Sequence, residues 1–282
     1  MIAVKSLIAA CALVLVVMSA TAPDTLAQRG RGAGPGQPAQ SGRAGAPVDL
    51  TGYWVAIVNE DWRWRMVTPP AKDYASVPLN AEGRKLADSW DVSTDGSCLA
   101  YGAAALMRMP TRLHITWEND STLKIETDFG QQTRRLVFGA TPTPAERSLQ
   151  GFSVAEWERP GRAGGAGGFG GPPVGGPGGF AGPPAAGAPR AGGAAQPPRG
   201  GNLKVTTTQL SSGWLRRNGV PYSENTTLTE YYDRFTTPGG EVWFVVTTIV
   251  EDPKYLTQPF VTSSHFRQEP DASKWDPTPC KS

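Results

Sequence analysis

From Asp49 onward much of the chain alternates apolar and polar residues, the period of two at which successive strand side chains point to opposite faces. Residues 49–58 read as a first strand, rich in aromatic and β-branched side chains. Trp62, Trp64 and Met66 then alternate with Arg63, Arg65 and Val67, which predicts a second, half-buried strand. Asn80 is placed to cap a short helix through about Trp90, with Leu86 and Trp90 four apart on one face. From Arg112 the alternation becomes regular: Leu113, Ile115 and Trp117 stand against Arg112, His114, Thr116 and Glu118. Asn119-Asp120 makes a turn, and Leu123, Ile125 and Thr127 mark the return strand. Thr133 to Phe138 supplies another.

Phe152 to Glu158 and Leu203 to Leu210 read as the two arms of one hairpin, yet residues 160–201 between them are almost wholly Gly, Pro and Ala. Loop closure costs only about 0.6 kcal/mol per doubling of length, and hairpin tips tolerate insertion. The expectation is a disordered insert at a hairpin tip, with an interaction segment or tether as the functional alternative. Asn225 to Phe235 and Glu241 to Val250 form the longest hairpin pattern, turned by Pro238-Gly239-Gly240, and Pro259 to Gln268 ends the series. About 8–10 short strands with one short helix predict an all-β, mainly antiparallel domain. Such a series closes into a barrel or folds into a sandwich to protect its edges.

Composition changes the picture at the ends. Lys5 and the apolar run Leu7 to Val17 read as a cleavable export signal over residues 1–27, with cleavage after Ala20, Ala22 or Ala27. The run is shorter than the roughly 20 residues a spanning helix needs, so no stable membrane insertion is expected after cleavage, an uncleaved anchor being the alternative reading. Ile8-Ala9-Ala10-Cys11 imitates a lipoprotein box, but most of the apolar run still follows Cys11, so this cysteine leaves with the signal. Residues 28–47 hold little that is apolar and read as a flexible leader. A single domain is expected over 48–282; without the insert it keeps roughly 190 residues, enough for one core. The protein is placed in the periplasm or outside the cell, where the remaining Cys98 and Cys280 are expected to form a disulfide.

The formal charge is +2, but seven of the 27 basic residues and only one of the 25 acidic ones lie in the signal, leader and insert, leaving the domain mildly acidic. That argues against nucleic acid as a partner. With two histidines and no C-x-x-C pair, neither a metal nor a cofactor is implied. No G-x-S-x-G elbow, phosphate-binding loop or H-E-x-x-H helix is present. The weak catalytic candidates are Glu230, His114 and His265. Glu230 lies in the aromatic run Leu228 to Phe235, where burial raises a carboxyl pKa, and its plain structural reading is an ion pair with Arg234. Nine tryptophans suggest an aromatic-lined cavity for a small apolar ligand among Trp54, Trp117, Tyr231 and Trp243. A hydrolase or lyase-like enzyme and a structural surface protein are the alternatives.

Two resemblances enter here. Gly52-Tyr53-Trp54 resembles the G-x-W signature of lipocalin-like barrels. That likeness implies that Arg267, near the end of the last strand, covers Trp54. Residues 151–158, 219–223, 229–232 and 251–259 resemble an uncharacterised family of secreted bacterial β-rich proteins. Its pattern runs G-H-S-V-x-x-W-E, then G-x-P-H-S with T-E-R-F, then E-D-P-x-x-Y-x-x-P. This family's histidine positions hold Phe152, Tyr222 and Thr227 here, so any imidazole chemistry of such relatives is lost, and the likeness implies export and a β-rich fold alone.

Overall fold

The computed structural model describes residues 42–91, 93, 98–142, 146–158 and 203–280. The expected signal, most of the leader and the 160–201 insert lie outside these residues. Nine strands close into a barrel. In chain order they are β1 (Gly52–Ile57), β2 (Arg112–Asn119), β3 (Thr122–Thr127), β5 (Thr133–Phe138), β6 (Phe152–Trp157), β7 (Leu203–Thr208), β10 (Thr227–Thr236), β11 (Val242–Glu251) and β12 (Phe260–Glu269). Around the ring the order is β1, β12, β11, β10, β7, β6, β5, β3, β2. The short β4 (Phe129–Gly130) pairs in parallel with the C-terminal β13 (Thr278–Pro279), and β8 (Gly213–Arg216) forms a hairpin with β9 (Val220–Tyr222).

A closed ring with an odd number of strands cannot alternate direction throughout, so one neighbouring pair must be parallel. That pair is β5 and β6, in register at Leu136↔Ser153 and Phe138↔Ala155. With this one parallel pair the barrel is still mainly antiparallel, as the alternation suggested. After Phe138 the chain returns to the far end of the barrel, where Ser148 bridges Leu210. The hairpin expected across the Gly/Pro-rich stretch does form: β6 and β7 pair from Phe152↔Thr208 to Trp157↔Leu203.

Alternation decides which side chains fill the barrel. Leu113, Ile115, Leu123, Ile125, Leu136, Leu203, Val205, Phe244, Val246 and Phe266 form one buried cluster with Trp54 and Tyr232. Each such burial contributes about 1.5–3 kcal/mol, and a one-residue slip would turn a whole set outward. Trp54 donates from Nε1 to Leu50 O at 2.9 Å and meets Phe244 edge-on at 4.6 Å; Phe244 stacks on Phe266 at 4.8 Å. These rings pack together inside the barrel.

A second cluster, including Leu79, Leu215, Tyr222, Leu228, Val250 and Phe260, closes one end. It includes residues of α2 (Ala81–Asp88), α3 (Ala103–Leu106) and the β8–β9 hairpin. Asn80 caps α2 as expected, accepting from Gly83 N at 2.8 Å, and its Nδ2 docks the helix on Lys254 O at 2.8 Å. Gly83 is required there, because a Cβ would lie 2.6 Å from Tyr255 O.

The expected strand over 62–67 is instead the single-turn helix α1 (Trp62–Arg65), with Met66 N donating to Trp62 O at 2.9 Å. Trp62 and Met66 are four residues apart as well as in alternation, and so short a run satisfies either period. Among the described residues three short α-helices form, of which the expected α2 alone exceeds a single turn. Cys98 and Cys280 are joined, with Cα atoms 5.5 Å apart, and Thr278 N donates to Asp128 O at 2.8 Å beside the bridge.

Candidate functional site

The barrel end opposite the closed one is bounded by the end of β2, the end of β5, the end of β6 and the arm leading into β1. Inward phase at these strand ends brings Trp117, Phe138 and Trp157 together. Phe138 lies 5.5 Å from Trp117 and stacks at 5.3 Å on Trp157. Residues 42–47, expected as the last of a flexible leader, pack across this mouth instead. Trp157 Nε1 donates to Gly42 O at 2.6 Å, and Arg43 N donates to Asp120 O at 2.9 Å. Gly42 lies so close to Phe138 that a Cβ would meet its ring at 2.3 Å. Between arm and barrel lies an open recess of about 320 Å³, bounded by Arg43, Pro47, Val48, Asp49, Thr51 and Trp117. Asp49 is held by Thr51, whose N and Oγ1 donate to its Oδ1 at 2.9 and 2.8 Å. The recess thus has one indole wall and one charge of each sign at its rim.

Of the four aromatic candidates, the structure brings two to the inside and leaves two outside. Trp54 is fully buried in the core below the mouth, and Trp117 stands at the mouth itself. Tyr231 and Trp243 fall on the outer wall, out of phase with the buried Tyr232 and Phe244. Arg267 lies over Trp243 at 5.9 Å, not over Trp54 as the lipocalin likeness implied. The register explains this: Arg267 stands opposite the outward Val55, one residue from Trp54. Phe138 and Trp157 were missed as site residues, although their alternation with buried neighbours was readable.

The catalytic candidates do not converge. Glu230 faces inward and is fully buried, paired with Arg134 of β5 through Nη1–Oε1 at 3.0 Å and Nη2–Oε2 at 2.6 Å. The expected partner Arg234 lies on the same strand four positions along, about 13 Å away at 3.3 Å per residue, whereas Arg134 reaches across the interior. Arg134 Nη2 also donates to Thr207 Oγ1 at 3.3 Å, and Thr207 shares a 2.7 Å hydrogen bond with Ser153. Burial disfavours the Arg134 charge, but the Glu230 carboxylate and Tyr232 together more than offset this and hold its pKa above the usual arginine range. Burial, then the Glu230 charge, pushes the neighbouring Tyr232 well above an ordinary phenol. With both oxygens engaged and no exposure, Glu230 is a structural partner.

His114 lies on the outer wall, stacked on Tyr53 at 4.2 Å and 3.4 Å from Glu126. His265 is also on the outer wall, 2.5 Å from Glu60. They flank β1 at Tyr53 and Ile57, about 13 Å apart along the strand. Among the described residues no three His, Cys, Asp or Glu side chains gather as a metal site.

Fold and site together define an all-β protein: a closed nine-stranded barrel with a packed interior, a capped end and an aromatic mouth. Comparison with known proteins finds no matching family model, curated protein or solved structure.

Proposed function

We propose that this is an exported barrel that binds a small apolar or aromatic ligand at its mouth, against Trp117. The observation that carries the reading is the aromatic group Trp117–Phe138–Trp157 beside a recess of about 320 Å³, a volume at the lower end of small-molecule sites. The packed interior cluster favours the mouth over an enclosed cavity. Export is supported by the N-terminal signal pattern, by the likeness to secreted bacterial proteins, and by the Cys98–Cys280 bridge, which persists in oxidising compartments. The enzymatic alternative loses its residues, since Glu230 is paired inside the wall and His114 lies outside it.

The test is titration of the mature protein with a neutral fluorescent naphthylamine, alongside native mass spectrometry of freshly purified material. Trp117→Ala is expected to weaken probe binding by about tenfold, the loss of roughly 1.4 kcal/mol of stacking contact, while Trp243→Ala on the outer wall leaves it unchanged. Equal affinity in wild type and Trp117→Ala would show that the mouth is not the binding site.

A further inference from the structure

A second group of side chains lies over the closed end of the barrel. Arg65 of α1, Arg108 just after α3 and Arg216 of β8 border one narrow recess with Trp64, Met109 and Arg217. Arg65 and Arg216 are each 3% exposed and Arg108 6%. Buried guanidiniums are ordinarily satisfied by acceptors, and most neighbouring ones are. Arg108 donates to Asp61 at 2.9 Å, and Arg65 to Arg108 O at 2.8 Å and Glu60 at 3.4 Å, while the exposed Arg63 donates to Asp73 at 2.6 Å.

Arg216 is the exception. Its Nε, Nη1 and Nη2 are all buried without a hydrogen-bond acceptor among the described residues, as is Nη2 of Arg65. Arg216 rests on the Trp64 ring at 4.8 Å, and Arg63 lies at 4.8 Å from the same ring. Among the described residues the nearby carboxylates are already engaged: Glu60 by Arg65 and His265, Asp61 by Arg108, and Asp73 by Arg63. Burial first, and then repulsion from Arg108, lowers both Arg65 and Arg216 to about 10. Among the described residues the recess is deficient in acceptors and rich in positive charge.

We propose that this recess binds an oxyanion, with one oxygen held between the free donors of Arg216 and Arg65. A guanidinium fork suits carboxylate and phosphate oxygens alike, and such charge-assisted bonds are the strong ones. The space is only about 10 Å³, close to the least that admits one water-sized atom. A single oxygen enters, and the group carrying it stays at the surface. The site is separate from the mouth, so binding here does not depend on the proposal for Trp117.

The experiment is calorimetric melting of the mature protein in sodium phosphate, sodium acetate and sodium chloride at matched ionic strength, followed by titration calorimetry with whichever anion responds. Phosphate or acetate is expected to raise Tm by about 3–6 °C at tenfold over its Kd. A response to phosphate alone identifies a phosphate-bearing ligand, and a response to acetate a carboxylate. Arg216→Met is expected to abolish the shift, and the milder Arg216→Lys, which keeps charge and stem, to weaken binding about tenfold by loss of the fork. Arg135→Met, on the outer wall and paired with Glu118, controls for loss of one charge and should retain the full shift. The proposal is overturned if neither oxyanion shifts the wild type beyond chloride, or if both Arg216 variants keep the full shift.

Discussion

Tyr74 shows how a single buried hydroxyl couples the cap of the barrel to pH. It donates to Asp88 Oδ1 at 2.9 Å, tying the segment before α2 to the last residue of that helix, and Arg84 lies over its ring at 5.6 Å. Burial first, then the hydrogen bond and charge of Asp88, pushes its pKa up to about 12. The unfolded chain releases this proton near the ordinary value of 10, while the native protein retains it. The stabilisation is therefore complete below about pH 10 and is lost as pH rises towards 12. Urea unfolding across that window should show wild type losing stability more steeply than Tyr74→Phe. Parallel slopes would mean the hydroxyl titrates normally in the native state. The comparison with the variant cancels the contributions of other groups, including Arg65 and Arg216, whose lowered values act in the opposite sense.

At the level of elements, the Arg134–Glu230 pair joins β5 to β10 across the interior, spanning the two strands β6 and β7 that lie between them in the wall. Such a pair is expensive to break from one side, because the remaining charge stays buried, yet cheap to replace as a whole. Glu230→Gln is expected to lower stability by about 3–5 kcal/mol, whereas Arg134→Met with Glu230→Leu recovers most of that loss. Chemical denaturation of the three proteins decides the matter; a double variant as unstable as the single one would mean that the pair contributes real net stability. The same interior layer holds Thr248 Oγ1 and Ser264 Oγ, buried without hydrogen-bond partners among the described residues. Polar side chains at inward positions on several strands help define which register closes, since a shifted strand would leave more of them unpaired.

For the whole molecule, the disulfide does what barrel closure does not. The wall closes through β1, which pairs with β12 on one side and β2 on the other, so the ring is complete without residues beyond Glu269. Cys98–Cys280 then ties the terminal segment to the cap over a separation of 182 residues. In the chain-entropy view a loop of this length restrains the unfolded state by about 5 kcal/mol. The Cys98→Ala, Cys280→Ala protein is expected to lose about 2–5 kcal/mol while keeping its far-ultraviolet spectrum. Faster hydrogen exchange should be confined to β4, β13 and the residues around Leu99–Tyr101. Collapse of the β signal would instead show that the barrel requires the bridge.

Much of this fold is written locally. Period-two alternation lies within each strand, so the strands of the wall, the β10–β11 hairpin, the β6–β7 pairing across the insert and the Asn80 cap were all legible, and the cysteine count pointed to the bridge. Inward and outward phase was also available in principle, since Glu230 is in step with Leu228 and Tyr232, and Trp243 is out of step with Phe244. The abundance of aromatic residues in both phases concealed it. Tertiary structure alone decided what depends on closure: the parallel β5–β6 pair that an odd ring demands, the choice of Arg134 over Arg234 as the partner of Glu230 across 96 residues, and the helical turn at Trp62–Arg65. It also decided which tryptophans meet at the mouth and which arginine is left without an acceptor. Local spacing specifies how a segment folds, but long-range partners are chosen by which registers close the ring and satisfy the buried charges together.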